Sequence, residues 1–477
     1  MFFILPDQLF EKLPKYLNEK EHVVLFPHSL YFDRYNYNKN KLLLHHASML
    51  NYRDQLKDKS IRVTMINYRP RLNFKHLISK IRNKELRGFY IPNKFLMNEL
   101  ITACKKYKVK LILHKKTPYF LNRYDEMPTN VRIFNSFYIK QRKKFDILMK
   151  NGKPVGGKWS YDKYNQDPYR PMKINCPSPK INNNKYISDG KKFVNKHFKN
   201  NYGSMDNFIF PINSSEAKKL LRDFLHKKLN LFGKTQDWMD PKNPYFCHSL
   251  LSSSFNIGIL TPGEILKEIK KIKGIQINSL EGYIRQIFWR EFCFYMYINH
   301  AKYKGNICIV PNKLGFKKKI KTSFYDGTTG VKAIDYCINK ALQTGYLHHI
   351  ERLMFMGNFL NLCQFHPQEI FTWFSELVCI DGGSTDVFMY MNILMCTYCA
   401  AGEPYNFVTK PYISSYNYIK KMSSLNDAHD ANVWKALYWT FINDNQDLIK
   451  GRGQYLLQHL PKYIKSGEMK EFYKVKI

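Results

Sequence analysis

The sequence predicts an α/β N-terminal domain, built on a doubly wound parallel sheet, joined by a long connector to an all-α domain. Three observations predict it. Up to His114, short β-branched and aromatic runs alternate with amphipathic stretches; from Thr129 to Asn207, turn-formers and basic residues dominate; beyond Ser214 the apolar spacing is helical almost throughout. A length of 477 residues allows two or three domains at about 150 residues each.

Taken in order, strands are predicted at Phe2–Leu5, His22–Phe26, Ile61–Tyr68, Gly88–Ile91 and Val109–His114, with a crossover helix over Asn93–Lys106. The connector carries the turn-formers Gly152-Lys-Pro-Val-Gly-Gly157 and Cys176-Pro-Ser-Pro179. Helices follow at 215–229, 261–272, 279–297, 331–344, 345–361, 367–377, 410–422 and 432–443. The boundaries read as 1–128, 129–207 and 208–477.

Hydrophobic residues make up 44 % and aromatic residues 16 %, enough for large cores and contrary to a disordered chain. A formal charge of +38, from 76 Lys+Arg against 38 Asp+Glu, points to a polyanionic partner, nucleic acid first, or else to base composition favouring Lys and Asn codons. The start, Met1-Phe-Phe-Ile-Leu-Pro-Asp7, lacks the basic n-region of a secretory signal, and the most apolar window, 353–363, is broken by Gly357, Asn358 and Asn361. A soluble protein is expected. Ten scattered cysteines suggest reduced thiols in a cytosolic or nuclear compartment.

Cys396-Thr-Tyr-Cys399 is a lone CxxC without a second ligand pair, so no metal site is predicted. His348 and His349 are adjacent; on a helix they point about 100° apart and do not chelate as an i, i+4 pair would. The stretch His248-Ser-Leu-Leu-Ser-Ser-Ser-Phe-Asn-Ile-Gly-Ile-Leu-Thr-Pro262 offers hydroxyls and free amides that suit a diphosphate, or simply cap a helix. On the helix through Tyr283-Ile-Arg-Gln-Ile-Phe-Trp-Arg-Glu-Phe292, Gln286 and Arg290 share a face that clamps an anion or is solvated.

These stretches, together with Gly152–Asn165, Gly345-Tyr-Leu-His-His-Ile-Glu-Arg-Leu-Met354, Trp373-Phe374 and Thr409-Lys-Pro-Tyr-Ile-Ser-Ser-Tyr-Asn-Tyr-Ile419, resemble the cryptochrome/photolyase family, and within it the prokaryotic (6-4) photolyases. The resemblance implies FAD in the helical domain and light-driven electron donation to a pyrimidine dimer in damaged DNA. It implies that His248, Ser249, Leu250, Ser252, Gln286, Trp289 and Arg290 contact the cofactor and that Arg352 lies beside its ring system. Asp386 and Asn392 are the choices for the group facing the flavin N5. A (6-4) lesion needs a proton donor, which His349 suits, with His348 orienting it or sharing the task. Tyr412 resembles the tyrosine that meets the lesion.

The sequence also departs from the family. By spacing, the iron–sulphur ligands fall at Ala333, Asn426, His429 and Asn432, none of them cysteine, so the cluster is predicted absent and its place a closed, hydrogen-bonded polar patch. Trp373 fits the flavin-proximal member of an electron relay, Phe374 stands where a tyrosine can occur, and Tyr325 stands where a tryptophan would be outermost. Asp7-Gln-Leu9 resembles the first contact of a lumazine-type antenna, while Phe26-Pro-His28 replaces an expected acid, leaving the antenna open. The DNA surface is expected at Lys140, Arg142, Lys143 and Lys144, at Lys191-Lys192, and at Lys317, Lys318, Lys319 and Lys321, on a monomer. Three readings follow: a DNA repair photolyase, acting on the (6-4) photoproduct or on a cyclobutane dimer; a cryptochrome-like photoreceptor without repair; and a basic nucleic-acid-binding protein without flavin.

Overall fold

Five short parallel strands form the N-terminal sheet: β1 (Phe2–Ile4), β2 (Val23–Leu25), β3 (Val63–Met65), β4 (Glu85–Phe89) and β5 (Lys110–His114). The computed structural model describes residues 1–14, 17, 21–79, 81, 84–114, 117–123, 133–173, 176–378, 413–450 and 453–467. The strand order β3-β2-β1-β4-β5 starts at the centre and winds outward both ways, with Phe3 opposite Val24 on one side and Gly88 on the other. Phe2, Phe3, Ile4, Val23 and Leu25 are fully buried, as a sheet covered on both faces requires. Helices α1 (Lys39–Asp58), α2 (Phe74–Ile78) and α3 (Lys94–Lys106) make the crossovers. Asn38 caps α1 through Asn40 N–H and also donates to the carbonyls of Ala341 and Leu377, tying the sheet layer to the helical half.

The connector is more ordered than its composition suggests. It contains α4 (Phe134–Lys144) and α5 (Lys185–His197). Gly190 of α5 faces Leu43 of α1 so closely that a Cβ would come within 2.5 Å of Leu43 Cδ1, and Phe193 stacks on His46 with ring centroids 3.7 Å apart. A single small residue and a half-apolar face, diluted among lysines, carry that docking.

The helical half runs through α6 (Ser214–Lys227), α7 (Leu229–Thr235), α8 (Ser252–Asn256), α9 (Pro262–Ile269), α10 (Ile277–His300), α11 (Ser323–Asp326), α12 (Lys332–Thr344), a π-helical turn (Glu351–Gly357), α13 (Asn358–Leu362), α14 (Pro367–Leu377), α15 (Tyr416–Met422) and α16 (Ala428–Asp444). The predicted helix over 367–377 coincides with α14, where His366 caps and Pro367 begins the first turn. An antiparallel hairpin, 302–304 with 307–309, interrupts the helices where the apolar spacing gives no sign of strands.

Helix α10 is the mast of the molecule. Glu281 accepts the Tyr138 hydroxyl at 2.8 Å and the Tyr161 N–H at 2.9 Å, Arg285 pairs with Asp162, and Glu291 accepts the Leu121 N–H at 2.8 Å. Buried carboxylates persist when hydrogen-bonded or paired; Glu281, with Arg285 beside it, holds the connector, and Glu291 the stretch just before it, against the helical half.

The expectation of reduced thiols is corrected at one pair: Cys176 and Cys247, 71 positions apart, form a disulfide with their Cα atoms 5.3 Å apart. The fold brings the connector beside the loop before α8, a proximity that spacing along the chain does not reveal. Cys104, Cys337 and Cys363 are buried free thiols.

Candidate active site

The loop leading into α8 begins at that disulfide. Next in sequence, His248 is buried, its Nδ1 3.0 Å from the Tyr245 carbonyl and its Nε2 2.9 Å from the Gln236 carbonyl. Burial pushes its pKa down to about 3, so the ring is neutral and donates to one of these carbonyls. Leu250 adopts φ +57°, a left-handed conformation rare for a leucine, which turns the chain sharply before Ser252 opens α8. The hydroxyls of Ser253 and Ser254 are buried without a hydrogen-bond partner, as is Gln236 Oε1. Ser249 lies half-buried, and the Tyr283 hydroxyl is turned toward it.

The second wall comes from the segment between α12 and the π-helical turn. His348 precedes the helix as its cap, Nδ1 accepting the Ile350 N–H at 3.3 Å, which overturns the helical geometry expected for the His348-His349 pair. Its ring stacks on His248 at 4.5 Å, and His349 meets His248 edge-on at 6.1 Å. Nitrogens of all three rings lie within 4.8 Å of one another. Both His248 nitrogens face carbonyls, however, so the trio presents two imidazole nitrogens rather than a preformed metal ligand set.

Beneath His348 lies a buried ion pair: Lys340 on Glu351, whose Oε2 accepts the His348 N–H at 3.0 Å and whose Oε1 lies 3.4 Å from His348 Nε2. Burial among cationic neighbours keeps His348 neutral. His349 is less buried, its Nε2 3.5 Å from Asp237 Oδ1. Sequence reasoning missed Lys340, Gln236 and Asp237, which no local motif marks, and gave no role to Glu351, although it lies within the Gly345–Met354 motif. Arg352 donates its N–H to the His348 carbonyl at 3.0 Å, one turn into the same segment.

On α10, Gln286 is half-buried, and Arg290 donates to Asn256 Oδ1 at 3.2 Å and to the Tyr119 carbonyl at 2.8 Å, under the rings of Tyr119 and Phe120. It binds the end of α8 to the α/β domain. Trp289 stacks on Phe134 of α4 with centroids 3.6 Å apart. That face of its ring is taken by the connector.

Trp373 is fully buried and Tyr325 half-buried. Tyr412, Asp386, Asn392, Cys396 and Cys399 lie outside the described residues. Of the antenna candidates, Gln8 donates to the Tyr90 carbonyl at 3.1 Å, and His28 caps a turn and pairs with Glu99 at 3.2 Å.

Two further expectations are corrected. Arg142 is fully buried and donates to the carbonyls of Ile147, Leu148 and Trp159, so it braces the 147–159 loop and is not part of a DNA surface. Lys140, Lys143, Lys144, Lys317, Lys318 and Lys319 are exposed. The expected closed patch at the cluster position is open: Asn426, His429 and Asn432 are exposed. The buried polar group there is Asp430, whose two oxygens accept the Lys332 and Ala333 N–H groups, each at 3.0 Å. Asp427 caps α16 and pairs with Lys332. Two carboxylates join α12 to α16, so the asparagines and histidine have nothing to close over.

Two family descriptions match the chain: "Deoxyribodipyrimidine photo-lyase-related protein" over residues 2–210 and "FAD binding domain of DNA photolyase" over residues 283–429. A (6-4) photolyase of Agrobacterium fabrum is 30 % identical over 332 residues, 66 % of this chain; the match spans only 63 % of that relative's length. An uncharacterised protein of Acanthamoeba polyphaga mimivirus is 33 % identical over 180 residues, 34 % of this chain and 91 % of its own. In three dimensions the chain is similar to a class III photolyase from Agrobacterium tumefaciens, with TM-score 0.56 and 15 % identity, over 88 % of this chain and 85 % of that one. Among the described residues no helix is long and apolar enough to cross a membrane.

Proposed function

The chain belongs to the cryptochrome/photolyase family, and on that premise we propose that it is a light-driven photolyase acting as a monomer on pyrimidine dimers in DNA, the (6-4) photoproduct foremost. The supporting observation is the histidine constellation: a neutral, buried His348 fixed by Glu351, beside a more accessible His349 turned to Asp237. Such a pair positions one imidazole to give and recover a proton, which reversal of a (6-4) lesion requires and a cyclobutane dimer does not.

FAD, when bound, supplies the photoexcited electron that side chains cannot. The residues present fit it: Ser253, Ser254 and Gln236 hold buried polar atoms without a protein partner, and Ser249, Leu250 and Ser252 border them. These, with His248, Gln286 and Arg352, would hold the cofactor, Arg290 would steady the end of α8, and Trp289 would contribute through its packing. Trp373 and Tyr325 would carry electrons toward the site, and Lys140, Lys143, Lys144 and Lys317–Lys319 would neutralise phosphates. Tyr412, Asp386 and Asn392 keep the roles that the family resemblance implies.

The residues present do not fit an iron–sulphur cluster. No thiol stands at its four positions, and Asp430 has taken the backbone donors there. A lumazine-type antenna in the α/β domain is a secondary proposal.

Absorption of the purified protein, followed by illumination with a reductant and a defined (6-4) oligonucleotide, tests the reading. Flavin bands without a broad iron–sulphur shoulder, and light-dependent loss of the lesion that His349→Ala abolishes with flavin still bound, are expected. Flavin with no repair of either dimer would favour the photoreceptor reading; no flavin would remove both.

A further inference from the structure

The loop before α8 is bent at two places. Phe246 holds φ +38° and Leu250 φ +57°, left-handed conformations that strain a non-glycine residue, and Cys247 and His248 lie between them. Such strain persists only where the surroundings over-determine the backbone. On one side Phe246 packs edge-on against Trp238 with ring centroids 6.0 Å apart, and His248 stacks on His348. On the other, the bond from Cys247 to Cys176 holds the loop to the connector.

The two sulphur atoms are unequally placed. Cys247 is fully buried, whereas Cys176 is half-buried next to exposed Pro177 and Ser178. The connector is anchored on both flanks of Cys176 by other contacts: the Tyr169 N–H donates to the Lys421 carbonyl and the Asn182 N–H to the Phe208 carbonyl, each at 2.7 Å. Opening the disulfide therefore leaves those flanks docked and frees the loop. Directly beyond the loop stand the buried Ser253 and Ser254 hydroxyls that lack a protein partner.

We propose that Cys176–Cys247 is a thiol–disulfide exchange site that sets how tightly the loop and α8 hold FAD, an inference that rests on FAD occupying that cradle. The reductant is a dithiol. Its first thiolate attacks the accessible Cys176 sulphur, the disulfide bond breaks, and the electron pair leaves on the Cys247 sulphur. Its second thiolate displaces the Cys176 sulphur, so the reagent ends as a cyclic disulfide and its two protons pass to the two protein thiols. With the bond open, Phe246 and Leu250 relax to negative φ, and Ser249 to Ser254 present their hydroxyls in the binding geometry for a smaller fraction of the time.

The test is FAD binding to the full chain in the dark, by dialysis against graded FAD with and without dithiothreitol, with thiols counted by alkylation and mass spectrometry. The native protein should gain two thiols on reduction. Its apparent Kd for FAD should rise about 10-fold, as when the competent loop falls to roughly a tenth of the population, and a thiol oxidant should reverse the change. Cys176→Ser should bind as weakly as the reduced native protein and ignore dithiothreitol. Amide hydrogen exchange over 246–252 should quicken on reduction with or without FAD. Two new thiols with unchanged FAD affinity, or a disulfide that dithiothreitol does not open in the folded protein, would overturn the assignment. A chain that binds no FAD in either redox state would instead overturn the cofactor reading, and a reduction-dependent rise in exchange over 246–252 would still support the latch.

Discussion

Lys340 Nζ lies 2.8 Å from both carboxylate oxygens of Glu351, and neither residue is more than 5 % exposed. Lys340 also reaches the Pro244 carbonyl, and Glu351 also accepts the His348 N–H, so the pair joins three segments around the histidines. Removing one partner strands a buried charge, and Lys340→Met is expected to cost about 3 to 5 kcal/mol in urea unfolding. The double variant Lys340→Met, Glu351→Leu should regain most of that stability while still losing lesion repair.

The basic residues separate into two kinds under salt. Arg142→Ala should lower stability, because three carbonyls lose their donor, and leave the salt dependence of DNA binding unchanged. Replacing Lys317, Lys318 and Lys319 together by alanine should flatten the slope of log K against log salt by about 0.9 for each phosphate no longer neutralised. Fluorescence anisotropy at several salt concentrations measures both.

Asp430→Ala should destabilise by about 1 to 3 kcal/mol, since the Lys332 and Ala333 N–H groups are left without their acceptor. Asp430→Asn should lose less, keeping one acceptor oxygen. Neither variant should change iron content, which elemental analysis would report.

Acid should weaken the α/β domain earlier than carboxylate titration alone would. Burial lowers the pKa of His46 to about 4 and that of His45 to about 3, below the unfolded value near 6.5. The unfolded chain therefore binds more protons between those values, and stability falls with pH from about 6.5 toward 4, by up to about 1.4 kcal/mol per pH unit for each histidine. His46→Phe, which preserves the stack on Phe193, should remove one such contribution from the pH dependence of unfolding.

Reduction of Cys176–Cys247 releases the connector from the loop before α8. Closure entropy for a loop whose ends are 71 positions apart sets an upper limit of about 4 kcal/mol on the loss. Denaturant unfolding with and without a thiol reductant should show the difference in the native protein and none in Cys176→Ser.

The central strands are legible because strands covered on both faces are nearly continuous apolar runs; Phe2–Leu5 is expected and the buried Phe2–Ile4 is found. Arg142 escapes such reasoning because Lys-Gln-Arg-Lys-Lys looks uniformly exposed, although Tyr138, one turn earlier, marks the inward face. The apolar spacing puts the start of α16 at Asn432, yet Asp427-Ala-His-Asp430 carries a helix-start signature four residues earlier. The meeting of His248 with His348, and of Asp237 with His349, is set by packing across a hundred residues and more, which no local pattern encodes.

Helix α10 grips the connector through Glu281 and Arg285 and the chain just before it through Glu291 and Arg290, while presenting Gln286 between those grips. The unit that can be exchanged between relatives is therefore not the α/β domain. A chimera spliced after residue 128 would graft a foreign Tyr119–Asn122 stretch onto one end of a rod whose other end still holds the native Tyr138, Tyr161 and Asp162. Such a hybrid should fold only when the rod and both of its handholds come from one parent.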